Sequence, residues 1–309
     1  MNQPLVTVFS LVYNTNPKFS IEAINSIYSQ TYKNIEHIII NDSPDDNIHW
    51  PLIKKYIIEN DLPSVILENK QNKGICSNLN HILKIANGKY ILGCSDDIIK
   101  KDRVYNDVLM LESSSENTAL VFSQVEYIDE HSKTLKTIKP LNYNSDVSDL
   151  LSYFFFKNHI PAPSVTMKTE LVLKCGGFNT EFEIEDYELW LRLISKGFTF
   201  IFRNKVDTHY RIHNLSLSRK FKEKLEFNTV RLLIQFSTTV YHKTILKMCL
   251  LKYRINDNLI NELFSLYKSK YSDKLIFYII KYRKIRFVSI LSVFYYKYLK
   301  YKELKLRDF

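Results

Sequence analysis

The chain has 309 residues, of which 45% are hydrophobic and 25% charged, the balance of a folded globular protein and not of a mainly disordered one. That length accommodates one large domain with an appendage, or two modest domains. The net charge of +10 is uneven: residues 220–309 carry 20 Lys or Arg against 7 Asp or Glu, a local +13, whereas residues 1–219 carry 23 against 26, a local −3. Cys76, Cys94, Cys175 and Cys249 show no C-x-x-C spacing, which argues against a structural zinc site or a disulfide framework and fits a reducing, cytoplasmic compartment.

The first hundred residues alternate β-branched runs with amphipathic helical patterns, the pattern of a parallel sheet with crossover helices. Strands are predicted at Val6 to Leu11, Ile35 to Ile40, Ser64 to Glu68 and Tyr90 to Cys94, with helices at Ser20 to Ser29, Trp50 to Glu59 and Ile75 to Ala86. The apolar run from Leu5 to Val12 has no basic flank or small-residue cleavage site, so no signal peptide is expected. A helix over residues 101–112 leads to a hairpin, Val121 to Ile128 and Thr134 to Ile138, turning at residues 129–132. Residues 185–196, EDYELWLRLISK, read as a helix closed by Gly197, with Trp190 and Leu193 on its core face; strands follow at Phe198 to Arg203 and Val206 to Ile212. Beyond Ser218 only helix-compatible segments occur, which places a soft boundary near residue 218.

Common phosphate-binding loops are excluded. The six glycines, at 74, 88, 93, 176, 177 and 197, contain no G-x-G-x-x-G, and in GKYILGCS the position of a P-loop lysine is held by Cys94. No H-E-x-x-H or G-x-S-x-G occurs. Acids instead collect at strand ends and at one helix start: Asp42, Asp96 with Asp97, and Glu185 with Asp186. Right-handed crossovers bring such positions to one edge of the sheet. An acid-lined edge repels a diphosphate unless a divalent cation bridges them.

The segments VTVFSLVYNTNPKF, SIYSQTYKNIEHIIINDSPDD, NKGICSNLN, GKYILGCSDD, GGFN at 176–179 and IEDYELWLRL, in this order and spacing, resemble the family 2 glycosyltransferases. The resemblance runs from Val6 to about Ser218. It implies an α/β, GT-A-type Rossmann-like mixed sheet flanked by helices, with a nucleotide-sugar half (about 1–100) and an acceptor half (about 101–218), followed by a helical extension over 219–309. It further implies that Tyr13 and Asn14 lie beside the nucleobase and ribose, that Asp42 accepts a hydrogen bond from the uracil ring, and that Asp96 and Asp97 hold ribose and a Mn²⁺ or Mg²⁺ ion. Cys94 stands where the family's D-x-D motif begins with an aspartate, and a thiol is a poor ligand for a hard cation. Asp186 corresponds to the general base with Glu185 orienting the acceptor or the base, although first-turn acids also suit a helix N-terminus without any catalytic role. His213, in YRIHNLSLSR, resembles a histidine that completes the metal or diphosphate site in some relatives; Arg211 and Arg219 are candidate diphosphate partners by charge.

The implied activity is inverting transfer of a hexose or N-acetylhexosamine from a UDP-sugar to a hydroxyl of a glycan or lipid-linked glycan, as in synthesis of capsule or lipopolysaccharide. The alternatives are a sugar nucleotidyltransferase, which would need a glycine-rich basic loop where YNTNPK stands, and a catalytically inactive sugar-nucleotide or membrane-binding module, motivated by Cys94. Tyrosines and basic residues beside short apolar runs in KLIFYIIKYRKIRFVSILSVFYYKYLKYKELK suit peripheral contact with an anionic membrane on its inner face; a helical bundle packed on the catalytic domain fits the same composition. The run Phe287 to Tyr296 is about half a bilayer span. No nucleic-acid-binding module is recognisable.

Overall fold

The computed structural model describes residues 3–138, 158–182, 184–212 and 222–236, together with 151, 154, 263, 265 and 266. His213, Arg219, Cys249 and the basic, aromatic stretch 274–305 lie outside these. The chain divides into two compact units, residues 1–151 with 158–214, and residues 152–157 with 215–309.

The first unit is built on β1 (Val6–Val12), β2 (Ile35–Asn41), β3 (Ser64–Glu68) and β4 (Tyr90–Gly93), which lie in the order β3-β2-β1-β4, all parallel. Their connections are α1 (Pro17–Tyr28), α2 (His49–Glu59) and α3 (Ile75–Ile85). Helix α1 begins three residues before the predicted start. Asn16 caps it by accepting from the amide of Lys18, and Pro17 occupies the first turn, where its fixed φ and missing N–H cost nothing. The strands pack against the crossover helices in two clusters. Val6 and Val8 join Ala23, Ile27, Tyr90 and Leu92 in one core cluster. Val12, Ile24, Ile39, Trp50 and Ile53 form another. Each such side chain contributes about 1.5–3 kcal/mol of transfer free energy when fully buried.

After β5 (Ile98–Ile99) and α4 (Arg103–Glu112) come β6 (Thr118–Ile128), β7 (Thr134–Ile138), β8 (Val165–Lys168), α5 (Thr169–Lys174), α6 (Glu185–Ser195) and β9 (Thr199–Arg211). The path continues β4-β8-β6-β9-β5, with β7 also paired to β6. Strand β8 runs antiparallel to both β4 and β6, and β6 runs parallel to β9, so the sheet is mixed. Three elements differ from expectation. The four residues of β8 and two of β5 are too short to show a period, and α5 is only six residues long. The two strands predicted across 198–212 are one, β9, because a register shift between Ser123 and Gln124 of β6 absorbs Asn204 and Lys205; bulges of this kind bend a strand without ending it. Trp190 and Leu193 are buried as expected, at 2% and 0% exposure.

In the second unit, α7 (Lys222–Phe236) has Phe227, Val230, Leu232, Leu233 and Ile234 buried. Among the described residues no helix is long and apolar enough to cross a membrane.

Candidate active site

Strand β1 ends in Tyr13, an exposed ring at 44%, and Asn14, whose φ of +49° lies in the left-handed region that Asn tolerates better than most residues. The amide of Asn14 donates to Ser43 Oγ at 2.8 Å, which pins the end of β1 against the end of β2. Asp42 follows β2 and is buried. Its Oδ1 accepts from Asn69 Nδ2 and the amide of Lys73, both at 2.8 Å; its Oδ2 accepts from Asn72 Nδ2 and the amide of Gly74, both at 3.0 Å. A carboxylate has about four acceptor positions, and all four are taken by the loop between β3 and α3. None of these partners is another of the candidate acids.

The turn after β4 carries the acidic pair. The amide of Cys94 donates to the carbonyl of Phe9 and that of Leu11 to Ser95 Oγ, so the turn is stitched to β1. Cys94 itself faces inward at 1% exposure, with its thiol directed to the carbonyl of Asp97, and burial pushes its proton up to about 12. It is a neutral core side chain. Asp97 is buried, and its Oδ1 accepts from the amide of Arg211 at 2.8 Å; burial first, then the charge of Asp96, holds its carboxyl well above the ordinary range. Like charge beside a buried carboxyl is the kind of strain that a divalent cation relieves when one is bound. Among the described residues no three His, Cys, Asp or Glu side chains are arranged to hold an ion by themselves.

Glu185 and Asp186 open α6. Asp186 Oδ1 accepts from the amide of Tyr187 at 2.6 Å, and Oδ2 from Asn158 Nδ2 at 2.9 Å. Asn158 is held in turn by the amide of Ile160 on its Oδ1. Burial raises Asp186, and burial with the charge of Asp186 pushes Glu185 up to about 8. Helix α6 has no side-chain N-cap; its position is set from behind. Arg192 pairs with buried Glu188 at 2.9 Å and donates to the carbonyls of Cys175 and Gly177. Gly177 has φ +70°, and a Cβ there would lie 2.4 Å from Asn80 Oδ1, so the GGFN turn requires glycine both for its backbone and for the approach of α3. Asn80 closes the junction by exchanging hydrogen bonds with the backbone of Phe178.

Both acidic clusters act electrostatically on Tyr210 of β9. Its phenol is held well above the ordinary range by burial first, and then by the negative charges of Asp97, Asp186 and Asp96, with Tyr127 also contributing. Tyr127 stacks edge-on against it at 5.3 Å. Neither Tyr210 nor Asn158 was singled out from the sequence. Asn158 carries no periodic or motif signal, and Tyr210 was overshadowed by His213 in the same segment. A cavity of about 620 Å³ lies at the ends of β2 and β3, bordered by Asn41, Pro44, Trp50, Lys54, Glu68 and Asn69; none of the candidate acids lines it.

Arg211 is not available to a diphosphate. It is 1% exposed, and its guanidinium donates to the carbonyls of Asp96 and Asp129, to Ser132 Oγ and to Glu22. The expectation drawn from its charge is therefore corrected: every edge of the group is occupied internally.

One prediction concerns the acid pair on α6. A glutamic acid near 4.5 when unfolded and near 8 when folded binds more protons in the native state, so it lowers stability as pH rises through that window. Glu185→Gln is expected to match the wild type in thermal unfolding at pH 4 and to exceed it by about 4 °C or more at pH 8. Equal shifts at both pH values would show that Glu185 ionises normally.

A parallel four-stranded half ending in an acidic turn, joined through an antiparallel strand to a second half that presents a carboxylate-bearing helix, is the plan of a GT-A glycosyltransferase. Solved structures sharing the fold include S. aureus TarS 1–349 in complex with UDP-GlcNAc (TM-score 0.62, 15% identity, covering 93% of this chain and 89% of that one). Another is the mannosyltransferase PcManGT from Pyrobaculum calidifontis with GDP-Man and Mn²⁺ (TM-score 0.59, 17% identity, 87% and 74% covered). Residues 7–169 match Glycosyl transferase family 2, and the chain belongs to that family. Relatives include the Escherichia coli UDP-Glc:α-D-GlcNAc-diphosphoundecaprenol β-1,3-glucosyltransferase WfaP, 32% identical over 272 residues, with 86% of this chain and 98% of that protein covered. An uncharacterised glycosyltransferase of Methanocaldococcus jannaschii is 32% identical over 229 residues, with 73% and 77% covered. The protein is a glycosyltransferase.

Proposed function

We propose that this enzyme transfers a hexose or N-acetylhexosamine from a UDP-sugar, with inversion, to a hydroxyl of a lipid-linked glycan during surface polysaccharide synthesis. The observation that supports this best is the match of residues 7–169 to Glycosyl transferase family 2, together with the buried carboxylate of Asp186 held by Asn158 at the start of α6. Tyr13 and Asn14 border the base and ribose. Asp42 shapes the base subsite by anchoring the loop 69–74, and a uracil N–H reaches it by sharing an acceptor position with one of the loop's donors. Asp96 and Asp97 would hold Mn²⁺ or Mg²⁺, with His213 as the candidate third ligand. When bound, the cation supplies the charge that stabilises the departing nucleoside diphosphate. Asp186 takes the proton of the acceptor hydroxyl as it attacks the anomeric carbon from the face opposite the leaving group; its elevated pKa strengthens it as a base. Asn158 orients it, and Glu185 orients the acceptor or the base.

The lipid-linked acceptor is favoured by the chemistry in WfaP's name. A peripheral site of action on the inner face of an anionic membrane follows from the +13 charge of residues 220–309. The unit of residues 1–151 with 158–214 would carry the reaction.

The test is a panel of UDP-glucose, UDP-galactose, UDP-GlcNAc and GDP-mannose, each with Mn²⁺ or Mg²⁺ and a diphospholipid-linked GlcNAc acceptor, read as nucleotide release and by NMR of the product. Cation-dependent UDP release with a β-linked product is expected. An α-linked product would overturn the inverting mechanism, and turnover of GDP-mannose alone would overturn the donor class.

A further inference from the structure

Arg211 is one of the largest fully buried side chains among the described residues, and its surroundings are unusual for a charge. It is the last residue of β9. Its amide donates to Asp97 Oδ1 at 2.8 Å and its Nε to the carbonyl of Asp96 at 3.0 Å, so backbone and side chain together grip both members of the acidic pair. From Nη1 it reaches the β6–β7 turn, at the carbonyl of Asp129 (3.1 Å) and Ser132 Oγ (3.0 Å). From Nη2 it pairs with Glu22 at 2.5 Å, and its carbon Cζ lies 4.5 Å from the centre of the Phe19 ring, both on α1. Ser132 closes the circuit by donating to Glu22 at 3.1 Å. One guanidinium thus ties the acidic turn to a helix and a hairpin that lie 189 and 79 residues from Arg211 in sequence.

Desolvating an arginine costs several kcal/mol unless its donors are met. A fold that only needed to close this corner could do so with an apolar side chain. The planar fork does something an apolar group cannot: it fixes the direction of the Asp96 peptide while the adjoining amide fixes one oxygen of Asp97.

We propose that Arg211 is the positioning residue of the acidic pair, holding Asp96 and Asp97 in the orientation that receives a divalent cation, with Glu22 as the counter-ion that holds Arg211. The proposal rests on the assignment of Asp96 and Asp97 as cation-holding residues. Lysine cannot reproduce the fork, so charge alone will not substitute.

The experiment measures binding of Mn²⁺ to the whole protein, with and without UDP, from the electron paramagnetic resonance signal of free Mn²⁺, for wild type, Arg211→Lys and Glu22→Gln. Circular dichroism and thermal unfolding serve as fold controls, and metal-free UDP affinity as a second readout. Arg211→Lys is expected to weaken Mn²⁺ binding tenfold or more, and Glu22→Gln about threefold, while UDP affinity without metal changes less than twofold. Should Arg211→Lys fail to fold, Glu22→Gln decides, because Glu22 is 30% exposed and glutamine keeps its shape. Wild type that binds Mn²⁺ while the folded variants bind it equally well overturns this inference alone. Wild type that takes up no Mn²⁺ in either condition overturns the cation assignment and this inference with it. Loss of metal-free UDP binding in parallel with Mn²⁺ would show a general collapse of the site and also overturn the positioning role.

Discussion

Asp186→Asn is expected to lower kcat about a thousandfold while leaving donor affinity within threefold of wild type. The amide keeps the volume of the carboxylate and can still face Asn158, whose Nδ2 lies 2.9 Å from Asp186 Oδ2, but it cannot accept the acceptor's proton. General-base contributions are typically 10²–10⁴-fold. Losing an interaction made only in the transition state lowers kcat and kcat/KM together, without raising the donor KM. Single-turnover kinetics with saturating donor, alongside equilibrium binding of UDP-sugar, separates the two. Asn158→Ala should move the same parameters in the same direction by a smaller factor, since the carboxylate remains and only its aim is lost. A kcat for Asp186→Asn within threefold of wild type would remove Asp186 from the chemistry.

The largest effect on stability is expected from Arg103→Ala, at about 3–5 kcal/mol. Arg103 opens α4, is fully buried, and pairs with Asp107 at 3.3 Å. It also donates to Thr208 Oγ1 at 2.8 Å, to the carbonyl of Val165 at 3.1 Å and to that of Pro163. A cation at a helix N-terminus opposes the helix dipole, so its partners, drawn from α4, β8, β9 and the turn before β8, must outweigh that cost. Removing the guanidinium leaves Asp107 buried with Arg203, at 4.0 Å, as its remaining cation. Burial already pushes Asp107 up to about 6, against the opposing pull of Arg103, and the loss of Arg103 raises it further. The mutant's native state then holds a proton that its unfolded state releases above about pH 4, so its deficit grows with pH. Urea unfolding at pH 5 and pH 8 should show the larger loss at pH 8; a deficit below 1 kcal/mol at both would mean that the cluster is not under electrostatic load.

The parallel half of the fold was legible because its strands are long enough to show β-branched runs, and its helices long enough to show an apolar face, as Ala23, Ile24 and Ile27 do on α1. The earlier start of that helix was written in Asn16 and Pro17 and was missed by following apolar spacing alone. Strand β8 was not legible: four residues, VTMK, have no period, and their place in the sheet is decided by β4 and β6 on either side. The acids of the candidate site stood out because strand ends and helix starts are readable. The residues that aim them did not. Arg103 and Arg211 look like surface charges in a linear sequence, since apart from Asp107 their partners lie 60 residues or more away, and charged residues are seldom fully buried without such partners. Cys94 was readable in part: its unsuitability for a hard cation follows from its chemistry, whereas its turning inward beneath the acidic pair follows only from packing.

The anchoring of α6 from its far side has an evolutionary corollary. Arg192 and Glu188 hold the helix to the carbonyls of the glycine turn, so the height at which the helix offers its first two carboxylates is decided by groups remote from any incoming sugar. Acceptor-facing surface can then diversify without moving the carboxylate proposed as the base, and a lineage built on this plan is free to change what it glycosylates while retaining how it does so.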